Sequence, residues 1–253
     1  VRLTNFSSVL FEGLQLAGQD RHNISDETFA QFRDFGNARL RQAWESQDWP
    51  DLVRVAQLTV TTSNGLVTAA IPADAGEVLE CYTGDPLTST RVSTLAFRVY
   101  DNGTTQYLVF GSDPGTVWAE YRIKRPELVG DVWSSSVAYA VGAQAYFDSG
   151  SNTGTAVPVA GKPHYGDFYE CVGATTAGQS PFTHASLWTR KNIPYAFASY
   201  MARGMYADWL RSEMQTEAAQ VAEVEAESYL IMEVDKVLRQ QKQAGRINMT
   251  RTY

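Results

Sequence analysis

Residues 217–241 read EAAQVAEVEAESYLIMEVDKVLRQQ, and the fold turns on how that stretch is read. Between Tyr195 and Gln243 there is no proline and one glycine, Gly204. Strong helix formers dominate, so the segment is expected to be helical throughout. Gly245 then marks a helix stop before a short basic tail, Arg246 to Tyr253. Gly204 and Met214-Gln215 suggest two helices with a bend rather than one straight rod. Ala222, Ala226, Tyr229, Leu230, Glu233 and Val237 share one side, and Ala218, Ala219 and Ala222 would let a neighbour approach closely. A helix this long more often packs along neighbours in an assembly than folds back into its own small domain. It points to a structural part rather than a catalyst.

Upstream, the same reading gives two more helices. Thr4 or Asn5 is placed to cap a helix carrying Val9, Leu10, Gly13, Leu14 and Ala17, ended by Gly18. A second begins near Ser25 or Asp26, with Phe29, Phe32, Gly36, Leu40, Ala43 and Trp44 at helical spacing. Arg33, Asp34, Arg39, Arg41 and Glu45 are expected on its opposite, solvated side, and Trp49-Pro50 closes it.

From Val53 the period changes to two. Val53–Val60 and Leu66–Ile71 flank Asn64-Gly65, a hairpin signal because both turn positions take positive φ. Further strands are expected at 77–82, 94–100 and 106–110, with a turn at Asp101-Asn102-Gly103. Val117–Lys124 alternates cleanly, as in a half-buried antiparallel strand, and Pro126 ends it. Residues 131–190 are rich in Gly, Thr, Ser and aromatics, spaced like a small β module with a loop or hairpin extension near Asp148–Pro158. The chain is therefore expected to be α+β. Residues 1–52 and 191–253 form a helical body, 53–130 an inserted antiparallel β domain, and 131–190 a small β module.

At 253 residues the chain is long enough to bury a sizeable core, and no stretch approaches the roughly 18 apolar residues of a membrane span. A net charge of −7 argues against gripping nucleic acid through its phosphates. Cys81 and Cys171 sit in apolar stretches and read as buried free thiols, which suits a reducing cytoplasm. The first residues, Val1–Phe11, lack the apolar core and cleavage site of a signal peptide.

Two resemblances follow from particular stretches. Phe29–Trp49, then Gly115–Trp133, then Ile193–Gln215 resemble the head-to-tail connector, or adaptor, proteins of tailed bacteriophages. That resemblance implies a virion protein at the head–tail junction, assembled in the host cytoplasm. It implies a homo-oligomeric ring, twelvefold in that family, docked on the portal protein and meeting a downstream neck or tail protein. DNA passes through the lumen without specific binding, and no membrane is involved. Lys236, Arg239, Lys242, Arg246, Arg251 and Tyr253 are then the candidates for portal docking, and Glu217, Glu223, Glu225 and Glu227 for the lumen. An acidic lumen would let DNA slide without sticking. The bland alternative for these glutamates is a solvated helix face.

The second resemblance is carried by Trp133, Tyr139, Gly142, Tyr165–Cys171, Ser180-Pro181 and Leu187-Trp188, which are similar to type-3 chitin-binding (carbohydrate-binding) modules. Ala143 stands where that family has an aspartate after the glycine, and a long insertion separates Tyr146 from Tyr165. It implies sugar stacking on Trp133, Phe182 or Trp188, against the alternative that these rings build the core. A carbohydrate-binding attachment protein is thus the alternative function, and another neck, collar or tail-completion ring component a third.

Catalytic signals are weak. His22, His164 and His184 show no zinc spacing, and no Gly-rich loop is followed by Lys-Ser or Lys-Thr. Asp167 with Glu170, or Glu77 with Glu80, read as surface charge rather than glycosidase pairs. No metal, no cofactor and no enzymatic activity are expected.

Overall fold

The structure is a computed structural model. It describes residues 2–19, 25–63, 65–89, 92–101, 103, 105–147 and 167–249, with side chains at position 26 and from 240 onward not described. The chain begins with β1 (Leu3–Asn5), α1 (Phe6–Leu16) and α2 (Asp26–Glu45). Seven strands follow: β2 (Val53–Leu58), β3 (Val60–Ser63), β4 (Leu66–Ala70), β5 (Ala75–Tyr82), β6 (Phe97–Asp101), β7 (Gln106–Phe110) and β8 (Val117–Ile123). Then come β9 (Gln144–Phe147), β10 (Asp167–Cys171), β11 (Trp188–Arg190), β12 (Asn192–Pro194), α3 (Ala198–Ser212) and α4 (Thr216–Met249). The class is α+β, with every named strand pair antiparallel.

The chain divides into two compact units, 48–125 and the remainder. In the first, β2-β8-β5 make one sheet and β3-β4-β7-β6 another. Leu58, Cys81, Val117 and Ala119 from one sheet and Val67, Ala69, Leu108 and Phe110 from the other share a single apolar core. The expected continuous strand Val53–Val60 is broken at Thr59, and its two pieces join different sheets. A strand that changes sheets lets Leu58 and the half-buried Val60 serve the same core. The 63–66 pairing leaves a two-residue turn, and Gly65 holds φ at 77°, as a primed hairpin turn demands. In β8 Val117, Ala119 and Tyr121 are buried while Trp118 and Glu120 are only half-buried, the alternation read from the sequence.

In the second unit the chain ends meet: β1 pairs with β12, Leu3 opposite Pro194. Strands this short carried no periodic signal and were not expected. α1 packs on α3, as does α2. Ser25 caps α2 by accepting the Thr28 amide at 3.1 Å. Asn5 precedes α1 without a side-chain cap; the Ser7 amide donates instead to Asp167 Oδ1 of β10 at 3.0 Å. Residues 131–190, expected to stand apart as a third domain, fall within this same unit, and that long-range cap is one of the bonds holding them there. Strands β11-β10-β9 form their sheet, over a core of Trp133, Ala145, Phe147, Cys171 and Trp188.

The C-terminal segment is two helices, as Met214-Gln215 suggested. Met214 turns the chain with a φ of 60°, and the Gln215 amide donates to the Leu210 carbonyl at 2.9 Å. Gly245 does not stop α4, which runs through it to Met249. A lone glycine costs a helix about 1 kcal/mol relative to alanine, which the 29 residues of helix before it can carry.

Candidate assembly surface

The 34 residues of α4 span about 51 Å at helical rise, more than twice the length of the 15-residue α3 beside it. Its inner face is made of small side chains. Ala219, Ala222 and Ala226 are buried, the first two clustering with Ala207 and Leu210 of α3 and the half-buried Tyr206 and Trp209. Alanines allow close helix approach but bury little area, so charges fix the placement.

Arg39 of α2 is the centre of that placement. It was expected on a solvated face, yet it is only 3% exposed. Its Nε and Nη2 donate to the two Asp208 oxygens at 2.7 and 2.6 Å. Its Nη1 and Nη2 donate to the two Glu223 oxygens at 2.5 and 2.6 Å. Arg211 donates to the same carboxylates at 2.7 and 2.8 Å. Arg39 reaches α4 only because it crosses α3 at Gly204, where an added Cβ would lie 2.7 Å from its Cδ. Burial works against the Arg39 charge, but hydrogen bonds to Glu223 and Asp208 overcome it and raise its pKa. The same hydrogen bonds from Arg39, against burial, hold the Glu223 carboxyl below its ordinary value. Two arginines and two carboxylates thus form a neutral cluster joining α2, α3 and α4.

A second arginine repeats the device nearer the surface. Arg203 of α3 donates to Glu225 at 2.7 Å and to Glu12 of α1 at 2.8 Å, and lies 4.3 Å from the Tyr229 ring centre.

The outer face of α4 is apolar and exposed. Val221 is 72% exposed, Val224 67% and Ile231 60%; Met232 and Leu238 are also exposed. On a helical wheel these residues lie opposite Ala219, Ala222 and Ala226. The helix therefore has two apolar seams, of which the small-residue seam is covered by α3.

The residues singled out from sequence separate accordingly. Glu223 is half-buried and held by Arg39 and Arg211 within the unit, while Glu225 pairs with Arg203 but remains exposed. Glu217 and Glu227 are exposed. Lys236 is exposed beside Glu233, and Arg239 lies 3.8 Å from Asp235. The side chains of Lys242 and Arg246, and all of Arg251 and Tyr253, lie outside the described residues.

Trp133 and Trp188 are core residues, which removes their faces from sugar stacking. Trp188 packs edge-on to Tyr139 at 5.2 Å and donates its indole N–H to the Gln179 carbonyl; Trp133 packs edge-on to Phe147 at 5.5 Å. Phe182 alone of the three is exposed.

The carboxylates weighed as catalytic pairs have structural partners. Asp167 is buried at the start of α1, near Arg190, and burial raises its pKa although the Ser7 amide opposes that. Glu170 pairs with Lys191, Glu77 lies 3.7 Å from Arg122, and Glu80 accepts from the Tyr82 hydroxyl at 2.7 Å. His184 meets Thr183 Oγ1 at 2.9 Å; His22 and His164 lie outside the described residues. Both thiols are buried and unpaired with each other, and burial pushes the Cys81 thiol up to about 11. Among the described residues no three His, Cys, Asp or Glu side chains gather as a metal site, and no helix is long and apolar enough to cross a membrane.

No protein-family model matches the chain, and no curated protein matches it.

Proposed function

We propose that the chain is a structural subunit of a tailed-bacteriophage virion, a head-to-tail adaptor that forms a ring on the portal and passes DNA through its centre. The observation that carries this reading is the second seam of α4. A helix fixed to its own unit by alanines and a buried ion cluster, with valine, isoleucine, methionine and leucine on the far side, is built to meet another chain.

Several features support the assembly reading. α4 outruns α3 and carries Lys236 and Arg239 exposed on its later turns, where an acidic portal surface would meet them. The net charge of −7 and the exposed Glu217 and Glu227 suit a channel wall along which DNA slides. The mechanism is geometric: burial at head-to-tail interfaces supplies affinity, and ring closure supplies the passage. Carbohydrate attachment is disfavoured, because Trp133 and Trp188 are committed to the core.

Imaging tests the proposal. Purified chain mixed with a tailed-phage portal ring is expected to form a second, coaxial ring. A chain that stays monomeric in every complex with portal, or virions that lack it, overturns the reading. Deleting Ala244–Tyr253 is expected to weaken docking while leaving the fold of both units intact.

A further inference from the structure

The outer stripe of α4 has a regular period. Val221, Val224, Ser228, Ile231, Asp235 and Leu238 follow at steps of three and four, a seven-residue repeat with apolar residues at four of six positions. Packing on α3 asks nothing of this outer face. A seven-residue period is the seam of a two-stranded coiled coil.

We propose that in the free protein this stripe is covered by the same stripe of a second copy, running antiparallel. Charge decides the direction. α4 leaves Glu217 and Glu227 over its first turns, Glu223 and Glu225 being paired with arginines of the same unit, and is basic over its last, with Lys236, Arg239, Lys242 and Arg246. A parallel pair sets like on like, whereas an antiparallel pair sets acid against base and opposes the two helix dipoles. One register satisfies both demands. Centred between Tyr229 and Leu230, it places Val221 against Leu238 and Ser228 against Ile231, each twice by the two-fold axis. The same register sets position 217, a glutamate, against position 242, a lysine, at both ends. Two layers set a polar residue against an apolar one, Ser228 against Ile231 and Val224 against Asp235; the poorer is the second, whose carboxylate lies 3.8 Å from Arg239 of its own helix. That layer keeps the pair exchangeable.

Resting on the reading of α4 as the assembly surface, this pairing names its occupant before a ring forms. An isologous pair closes after two copies, while ring contacts run head to tail. The dimer is the form in which the free chain keeps its stripe from water, and ring growth replaces it.

Sedimentation of the full chain over a micromolar concentration series is expected to show a monomer–dimer equilibrium. Val224→Glu with Ile231→Glu should raise the dimer dissociation constant at least about 100-fold by putting charge into the seam. Both side chains are exposed, so an unchanged circular dichroism spectrum is expected with it. Direction is read by oxidation of single-cysteine variants, the native Cys81 and Cys171 being buried. An equal mixture of Val221→Cys and Leu238→Cys chains is expected to cross-link only as mixed dimers. Monomer at every concentration overturns the pairing. Cross-linking of Val221→Cys with itself overturns the antiparallel direction. Closed rings in the free protein that survive the double glutamate variant overturn the pairing and leave the adaptor reading standing. A dimer that dissociates as expected but never rings on portal overturns the adaptor reading alone.

Discussion

The two units are held together by opposite means. The sandwich of residues 48–125 has a core with no charged residue, eight buried apolar side chains drawn from both sheets. The helical unit contains a comparable apolar core, but its last helix is placed by Arg39, Asp208, Arg211 and Glu223 around three alanines. Apolar burial is tolerant of small displacements, because its free energy follows area. Bidentate ion pairs are not, because their geometry is fixed and an unpaired buried charge is expensive. The helical unit places its last helix with buried charge, whereas the core of the sandwich contains none.

Arg39→Ala tests that contrast most severely. It leaves Asp208 and Glu223 facing each other and should destabilise the helical unit by about 4 kcal/mol, with loss of hydrogen-exchange protection across 216–230. Protection within 48–125 should be unchanged; equal loss there breaks the comparison. Leu108→Ala is the converse, expected to cost the sandwich about 3 kcal/mol through the cavity left by a fully buried side chain while α4 keeps its protection. Gly204→Ala should cost about 2 kcal/mol, because the new Cβ collides with Arg39, and should add little on the Arg39→Ala background, where that side chain is gone.

Acid sharpens the comparison with a smaller effect. The Glu223 carboxyl is held below its ordinary value, so its contribution is complete above roughly pH 4.3. That contribution is lost as the pH falls through the lowered folded value. Asp167 works the other way, since burial raises its pKa and protonation relieves that penalty. Protection of α4 should therefore fall in acid before protection of β10 does. Simultaneous loss would mean that the cluster does not set the stability of α4.

Much of this fold was legible in local pattern. The alternation of Val117–Ile123, the Asn64-Gly65 turn and the Ser25 cap are properties of a few neighbouring residues, and neighbouring residues are what a sequence displays. The small inner seam of α4 was legible for the same reason, in Ala219, Ala222 and Ala226. The ion cluster was not. Arg39 sits among charged residues on α2, and nothing within that helix distinguishes an arginine that crosses to Glu223 from Arg41, which is exposed. The available hint was Gly204, a glycine in the middle of a strong helix, since such a residue often marks a close approach. Trp133 and Trp188 show the same limit from the other side. Their spacing was visible, but whether a ring faces core or solvent depends on Phe147 and Tyr139 lying over it.

The contact between Arg39 and Glu223 joins residues 184 positions apart. During synthesis Arg39 emerges before the sandwich of residues 48–125 and Glu223 after it. Until then α3 can offer Asp208 but not the full set of acceptors. Helix α4 is thus locked only after the sandwich has been made, and a chain truncated before Glu223 lacks one of the two carboxylates that hold Arg39.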